Sequence, residues 1–385
     1  MAAEVGLLSR NVVIRGSGQG EMADYRRWNK QEDVGAGTVV QCGNGVCEKP
    51  SEVSSNCPAD CRGPSWEWGA HIMVLTYQDI LVGGFATKRV AKMDISNVEM
   101  RFFGQSTTHY GVEVHKLGPN GKARMRSVAF NRGYEGAVLM TGASGAQLVD
   151  SVTYRTKLPG VQVNGGLQAR RNVVRGNLMS VGIWKDTHRG IRPMPSAKNQ
   201  KTRYAEAMLK DEGLETYVIN NVVAGSERSG FMGSGVPCTD TNDTFWRGNE
   251  VHSALHGFWY NFYRPLPVAR YGNCRRIASF SAWKLWQYGI YGENTHVPQI
   301  RFTKLSIADT KVGLYMLMAA FPAAPNWYKG TDQFTHISDS LFIGHSGAPG
   351  TCHPPRPGLH TCLSPKAYCS VFHHPTTPNI GVTGP

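Results

Sequence analysis

Charged residues are scarce in this chain, since Asp, Glu, Lys and Arg make up only 18% of its 385 residues. A mainly disordered protein is excluded, because 41% hydrophobic residues are enough to bury a large core. Long hydrophobic runs are also missing: the longest, residues 312–324, contains Gly and Pro and is shorter than the about 20 residues that span a bilayer. The first residues carry an acid and no long apolar run, so no export signal is visible.

Apolar residues at the 3.6-residue spacing of an amphipathic helix are almost absent, which disfavours a parallel α/β sheet. Glycine is abundant instead, and eight glycines each precede a short segment of alternating apolar residues: Gly111, Gly136, Gly160, Gly182, Gly230, Gly257, Gly289 and Gly313. Their intervals are 25, 24, 22, 48, 27, 32 and 24 residues. A propeller blade needs about 40 residues or more, whereas a period in the low twenties fits one coil of a solenoid. The sequence therefore predicts an all-β fold, a right-handed parallel β-helix, in which the glycine serves a bend with positive φ or a close backbone approach.

The predicted β-helix spans residues 1–345 and carries two insertions. Residues 41–62 form a Cys-rich insertion, and residues 185–212 form a polar loop insertion with a short helix-like piece at 203–210. The alternative for the 48-residue interval is two coils with one glycine lost. Residues 346–385 hold 8 of the 21 prolines and three cysteines, which predicts an irregular cap or linker.

The cysteine pattern indicates disulfides rather than zinc. Four cysteines follow the spacing C-x4-C-x9-C-x3-C, without the C-x2-C pair typical of zinc sites: Cys42, Cys47, Cys57 and Cys61. They predict two disulfides in one of three connectivities, and Cys238 is expected to pair with Cys274. Disulfides and the glycosylation sequon at Asn242 point to an extracellular compartment. Since no export signal is visible, we expect the chain to be a piece of a longer secreted or membrane-anchored protein.

Positive charge is concentrated in one part of the chain. The net charge is +13, and residues 101–200 contribute +11 of it, with 15 bases and 4 acids. Seven bases fall at comparable places in consecutive predicted coils: Arg126, Arg132, Arg155, Lys157, Arg170, Arg171 and Arg175. Equal places stack in a solenoid, so these side chains are expected to form a ladder that binds a sulfated or carboxylated polysaccharide. Nucleic acid is the less favoured polyanion for an extracellular domain, and a solvated basic surface is the alternative.

No complete catalytic or metal-binding motif is present. The candidate catalytic residues are Asp186, His188, Glu206 and Glu227, but no pair has a diagnostic spacing, and solvation or salt bridges are the alternative roles. His252 and His256 lack the Glu of a His-Glu-x-x-His motif, which favours structural roles. Asn44, Glu48, Asn56 and Asp60 are candidate ligands for calcium, and capping of turns is their alternative role; no other cofactor is predicted.

Three segments carry a family resemblance. Residues 3–16 (AEVGLLSRNVVIRG) resemble the start of the β-helix in fibrocystin, fibrocystin-like proteins and the related hyaluronan-processing proteins of the cell surface. Residues 221–231 (NVVAGSERSGF) and 249–257 (NEVHSALHG) are similar to the central coils of that helix.

This resemblance implies an extracellular ectodomain at the cell surface or ciliary membrane, tethered only through segments outside this chain. It implies a role in adhesion, coat assembly or binding of acidic glycans. The expected partner is an acidic polysaccharide or another protein of the matrix or cell surface. The alternative is a polysaccharide-degrading hydrolase or lyase, as the hyaluronan branch implies.

Overall fold

The computed structural model describes residues 12–15, 69–80, 86–89, 91–105, 109–118, 120–183, 206–260, 274–294, 299–318, 334–344 and 380–383. These residues form 24 β-strands and no α-helix, and most strands pair in parallel within one curled sheet. The predicted parallel β-helix is confirmed. No helix that could span a membrane occurs among the described residues.

Each coil passes through three stacks of strands, which we name sheets B, C and A in chain order. Sheet A contains β2 (Ile72–Leu75), β7 (Val112–His115), β10 (Val138–Thr141) and β24 (Ile380–Thr383). Sheet B contains β5 (Lys92–Ser96), β8 (Lys122–Arg126), β11 (Gln147–Val149), β18 (Trp246–Arg247) and β22 (Phe334–Ser338). Sheet C contains β1 (Val12–Arg15), β6 (Val98–Arg101), β9 (Ala129–Asn131), β12 (Val152–Lys157), β14 (Leu178–Ile183) and β23 (Leu341–Ile343).

Longer strands bend at the corners and continue from one sheet into the next: β13 (Val161–Arg175), β15 (Ala207–Ile219), β16 (Val222–Gly233), β19 (Asn249–Tyr260), β20 (Cys274–Asn294) and β21 (Gln299–Met318). Three strands pair antiparallel instead. β3 (Tyr77–Ile80) and β4 (Ala86–Arg89) form a hairpin, and β17 (Val236–Pro237) pairs with β20.

The core is a set of apolar columns inside the coils. In sheet A the parallel register stacks one fully buried apolar residue per coil, in the order Val112, Val138, Val161, Leu209, Phe231, Phe258, Ile290 and Leu314. Alternate residues of a strand point to opposite faces, so the apolar alternation seen in the sequence supplies this column. Burial of each such side chain contributes about 1.5–3 kcal/mol.

The marker glycines stand just before this column, where neighbouring coils approach closely. A Cβ at Gly257 would meet the carbonyl oxygen of Gly289, and a Cβ at Gly289 would meet that of Gly313. Neither glycine has a positive φ, so close backbone approach is the reason for glycine here.

The register corrects the position of one marker. Gly182 lies in sheet C, paired with Thr156 and Ser226, and Met208 takes the place before the buried column in its coil. The long coil therefore runs from Gly160 to Met208. The predicted helix-like piece at 203–210 is wrong where it is described, because residues 207–210 begin β15 and their apolar side chains are buried in sheet A. The described part of the predicted loop insertion is thus largely strand.

The other predicted interruptions are described only in part. The Cys-rich insertion at 41–62 and residues 345–379 lie outside the described residues. Within the segment predicted as a cap or linker, β24 adds a parallel strand beside β21 in sheet A. The disulfide between Cys238 and Cys274 forms as predicted.

The corner between sheets B and C has a left-handed residue in each coil where the structure describes it. These residues have φ between 49° and 67°: Asn97, Ser127, Asp150, Gly176, Asn220, Gly248, Ser279, Lys304 and Asp339. Asn, Asp and Gly adopt this region most readily, which explains their frequency at this corner. Each left-handed residue turns the chain from sheet B into sheet C, within β20 and β21 at Ser279 and Lys304 and between two strands in the other coils.

Behind this corner, three buried asparagines form a ladder along the helix axis. Asn177 Nδ2 donates to Asn221 Oδ1 at 2.9 Å, and Asn221 Nδ2 donates to Asn249 Oδ1 at 3.0 Å. The second N–H of each amide donates to a backbone carbonyl, at Leu148, Val174 and Val218 respectively. The ladder thus satisfies buried polar groups that the tight corner would otherwise leave unpaired.

Replacement of Asn221 by Ala should lower the free energy of unfolding by about 2 to 4 kcal/mol, because it leaves buried amide and carbonyl groups of both neighbouring coils without partners. A shift of the urea midpoint measures this loss. Asn220→Gly is the control, since Asn220 is exposed and left-handed and should change stability by less than about 1 kcal/mol. Equal midpoints for Asn221→Ala and the parent would contradict a stabilising ladder.

One acid occupies an inward column of sheet A. Asp211 stands where the preceding coil has Val163 and the next has Gly233. Its Oδ1 accepts hydrogen bonds from the Gly213 N–H and the Thr216 hydroxyl, both at 2.9 Å. Burial raises the pKa of Asp211 to about 7; these two hydrogen bonds oppose the rise and the charge of Glu212 adds to it.

Asp211→Asn should stabilise the protein at about pH 8 and leave it little changed at about pH 4. The pKa of Asp211 is about 7 in the folded chain and about 3.9 when unfolded, so deprotonation costs stability as the pH rises between these values. The amide oxygen still accepts both hydrogen bonds. Urea midpoints at the two pH values test this, with the exposed Asp94→Asn as control. An equal effect of Asp211→Asn at both pH values would refute the proposed titration.

Candidate functional site

The outward face of sheet B carries several exposed bases in the first described coils. On β8, the exposed side chains of Lys122, Arg124 and Arg126 alternate with Ala123 and Met125, which are fully buried. The strand period of two residues therefore places three bases on one surface.

Neighbouring strands extend this surface. Lys122 pairs in register with Lys92, and Arg126 is followed by Val149 and then by Arg175. We call the set Lys92, Lys122, Arg124, Arg126 and Arg175 the basic face. Coils are about 4.8 Å apart, so Arg126 and Arg175 are separated by roughly 10 Å along the axis. Within the described part of the chain, no ion pair engages any of these five side chains.

Only part of the predicted ladder lies on the basic face. Arg126 and Arg175 belong to it. Arg132 and Arg155 occupy the left-handed bend of sheet C in neighbouring coils, where the Arg132 N–H donates to the carbonyl of Tyr154 and the Gly133 N–H to that of Arg155.

The remaining three predicted bases lie elsewhere. In the register of neighbouring strands, Lys157 lies beside Ile183 at the end of β12, and Arg170 lies beside Glu215. Arg171 follows Arg170 in the chain and has a φ of 55°. The seven bases thus do not form one ladder, because equal distances from a marker glycine are not equal positions when the corners differ in length.

Sequence reasoning missed Lys92, Lys122 and Arg124. The signal was present in residues 122–126 (KARMR), where basic and apolar residues alternate with the period of a half-buried strand.

A second polar cluster surrounds Tyr110 at the edge of sheet A and includes the candidate Glu206. The Tyr110 hydroxyl donates to Gln162 Oε1 at 2.9 Å. Burial raises the pKa of Tyr110 well above its usual value, and the charges of Glu135, Glu206 and Glu113 raise it further. Tyr110 therefore stays protonated and is unsuited to act as a general base.

Hydrogen bonds also hold the buried Glu113. Its Oε1 accepts from the Tyr110 N–H at 2.8 Å, and its Oε2 lies 2.9 Å from His115 Nε2. Of the other catalytic candidates, Glu227 is exposed on β16, whereas Asp186 and His188 lie outside the described residues. The structure thus brings Glu206 into the acidic cluster around Tyr110.

The two histidines spaced four apart pack against aromatic rings, as predicted. His252 stacks on Trp283 at 5.0 Å between ring centroids. His256 is buried against Trp259 and Tyr288, and this burial, with a smaller contribution from the charge of Arg228, lowers the pKa of His256 to about 3. His256 is therefore neutral at physiological pH.

The predicted calcium site and the predicted glycosylation site stay predictions. The calcium candidates Asn44, Glu48, Asn56 and Asp60 lie outside the described residues. Asn242 of the sequon is exposed in a turn, where an oligosaccharide would be accessible, and its glycosylation stays a prediction.

Comparison with known proteins identifies relatives over much of the chain. No model of a known protein family matches it. Human fibrocystin-L is 26% identical over 352 residues, which cover 90% of this chain and 7% of fibrocystin-L. Mouse fibrocystin-L is 28% identical over 69% of this chain and 6% of its own length, and mouse fibrocystin is 29% identical over 45% of this chain and 4% of its own length.

The chain therefore corresponds in length to a small part of each relative. These similarities confirm the resemblance to fibrocystin and fibrocystin-like proteins, whereas the link to the hyaluronan-processing proteins stays a prediction. The chain is thus related to the fibrocystin family.

Proposed function

We propose that this β-helix is an extracellular segment of a larger fibrocystin-like protein and binds acidic polysaccharides on its basic face. The observation that carries the proposal is the single strand β8, on which Lys122, Arg124 and Arg126 all point outward. Guanidinium groups bind carboxylate and sulfate groups through paired hydrogen bonds, and a polyanion along the axis would meet one base after another.

The energetics of the basic face favour a bound anion. Lys92 and Lys122 lie directly opposite each other on neighbouring strands. Like charges in this arrangement destabilise a sheet, and a bound polyanion offsets the repulsion between these two lysines, whereas Arg124 lies opposite Asp94 in the same register. The field of such a surface also speeds the approach of polyanions and makes their binding sensitive to salt.

An extracellular location is supported by chemistry as well as by the relatives. The Cys238–Cys274 disulfide is typical of oxidising compartments, and the exposed Asn242 is compatible with glycosylation. We infer a cell-surface role in adhesion or coat assembly, including at the ciliary membrane, in which glycan binding is the contribution of this segment.

Arg124→Gln together with Arg126→Gln should weaken binding of a size-defined heparan sulfate oligosaccharide by about a hundredfold at low salt, since two charge-assisted contacts are lost. The salt dependence of the affinity should also become shallower. Titration calorimetry at several salt concentrations measures both effects. The matched control is Lys284→Gln with Lys311→Gln, which removes the same charge elsewhere on the helix; equal losses in the two variants would show a nonspecific charge effect and contradict the proposal.

Binding without cleavage is the outcome we expect for the polysaccharide. Tyr110 stays protonated and Glu113 is held by hydrogen bonds, which supports a structural role for the acidic cluster. Incubation with hyaluronan or heparan sulfate should leave the chain length unchanged by size-exclusion chromatography. If the parent protein shortens the polysaccharide and the Glu206→Gln variant does not, the enzymatic alternative replaces the binding function.

A further inference from the structure

A second basic site lies on sheet B near the other end of the described helix, in a cleft beside the Cys238–Cys274 disulfide. The cleft has a volume of about 290 Å³. Its polar lining is Thr241, Arg276, Arg301, Thr303, His336 and Ser338. Cys238 also lines the cleft and, as a disulfide cysteine, has no side-chain donor; the side chain of every other described lining residue carries a hydrogen-bond donor.

The lining residues form two columns in consecutive coils. Arg276 pairs in register with Arg301, and Arg301 pairs with His336. In the column two residues further on, Thr303 pairs with Ser338. A side chain repeats about every 4.8 Å along each column, so the two columns present a row of nitrogen donors beside a row of hydroxyls.

Arg276 is held rigidly at the wall of the cleft. Its Nη2 lies 2.7 Å from Asp243 Oδ1, and its Nη1 donates to the Asp240 carbonyl at 2.6 Å. Its Nε donates to Thr303 Oγ1 at 3.0 Å. Because Thr303 Oγ1 accepts this hydrogen bond, the hydroxyl hydrogen of Thr303 is left to donate elsewhere.

Arg301 provides the uncompensated charge. Its side chain is exposed, and no ion pair with another described residue engages it. No described residue that lines the cleft is Asp or Glu. The charge of Arg276 is balanced by Asp243, which also binds Lys304 at 3.0 Å. The cleft therefore combines one free guanidinium with several neutral donors.

Such a set of donors suits a ligand that is rich in acceptors and carries negative charge. A tetrahedral oxyanion offers several oxygens, so it can take the guanidinium fork of Arg301 together with hydroxyls on neighbouring coils. We propose that this cleft binds the sulfate ester or phosphate monoester of a single sugar residue.

The cleft is separate from the basic face. Along sheet B, the column that contains Arg124 continues through Gln147, Val173 and Tyr217. Tyr217 packs on Phe245 at 4.9 Å between ring centroids. Uncharged side chains thus interrupt the Arg124 column, whereas in the neighbouring column Arg126 and Arg175 are followed by Arg247. Arg124 and Arg301 are therefore the residues whose substitution distinguishes the two sites.

The experiment compares glucosamine 6-sulfate, glucosamine 6-phosphate and glucosamine as ligands of the intact chain, measured by calorimetry at low salt. We expect both esters to bind more tightly than glucosamine. Arg301→Gln should weaken ester binding by about tenfold, because a charge-assisted contact is lost. Arg124→Gln, on the basic face, should change it less than about twofold. The ester that binds more tightly identifies the chemical source.

Three results would overturn the proposal: equal binding of glucosamine and its esters, unchanged ester binding by Arg301→Gln, or a loss caused by Arg124→Gln instead. Arg301→Lys provides a second variant that keeps the charge but removes the planar fork, and it should fall between the parent and Arg301→Gln. Polysaccharide binding that survives Arg301→Gln would leave the proposed function of the basic face intact.

Discussion

Backbone hydrogen bonding between successive coils is the constraint on which the rest of this structure depends. Parallel pairing about every 4.8 Å requires that each residue lie on the equivalent residue of the next coil. A column that faces inward is therefore mostly apolar or paired along the column, and a polar exception such as Asp211 needs local hydrogen-bond donors. The stacked Val, Leu, Phe and Ile side chains of sheet A meet the first condition, and the ladder of Asn177, Asn221 and Asn249 meets the second.

The same constraint acts on the surface, where it stacks like charges. Lys92 on Lys122, and Arg276 on Arg301, place positive groups within reach of one another on sheet B. This repulsion is neutralised at one of these places and not at the others. Asp243 neutralises Arg276, whereas the basic face and Arg301 are left without ion pairs among the described residues. Repulsion between stacked bases such as Lys92 and Lys122 is what an anionic ligand relieves, which connects the architecture of the coils with the proposed binding of glycans.

Much of the fold could be predicted because the repeat follows from local steric requirements that determine which residue types occur at each bend. A glycine is needed wherever neighbouring backbones meet, as at Gly257 and Gly289, so its spacing reveals the coil length. The prediction was wrong at Gly182 because a glycine in sheet C has the same sequence signature as one before sheet A. Met208 fills the marker position in that coil, and nothing in its local sequence distinguishes it from an ordinary apolar residue.

The sequence by itself determined the fold class, the disulfide between Cys238 and Cys274, and the excess of positive charge in the middle of the chain. Periodicity, cysteine content and net charge are properties of local sequence and survive any error in register. Only the tertiary structure decided which bases share a surface, because that depends on the number of residues in each corner. Arg126 therefore joins Lys122 and Arg124 rather than Arg132, and the donors around Arg301 become a cleft through pairings that no local pattern reveals.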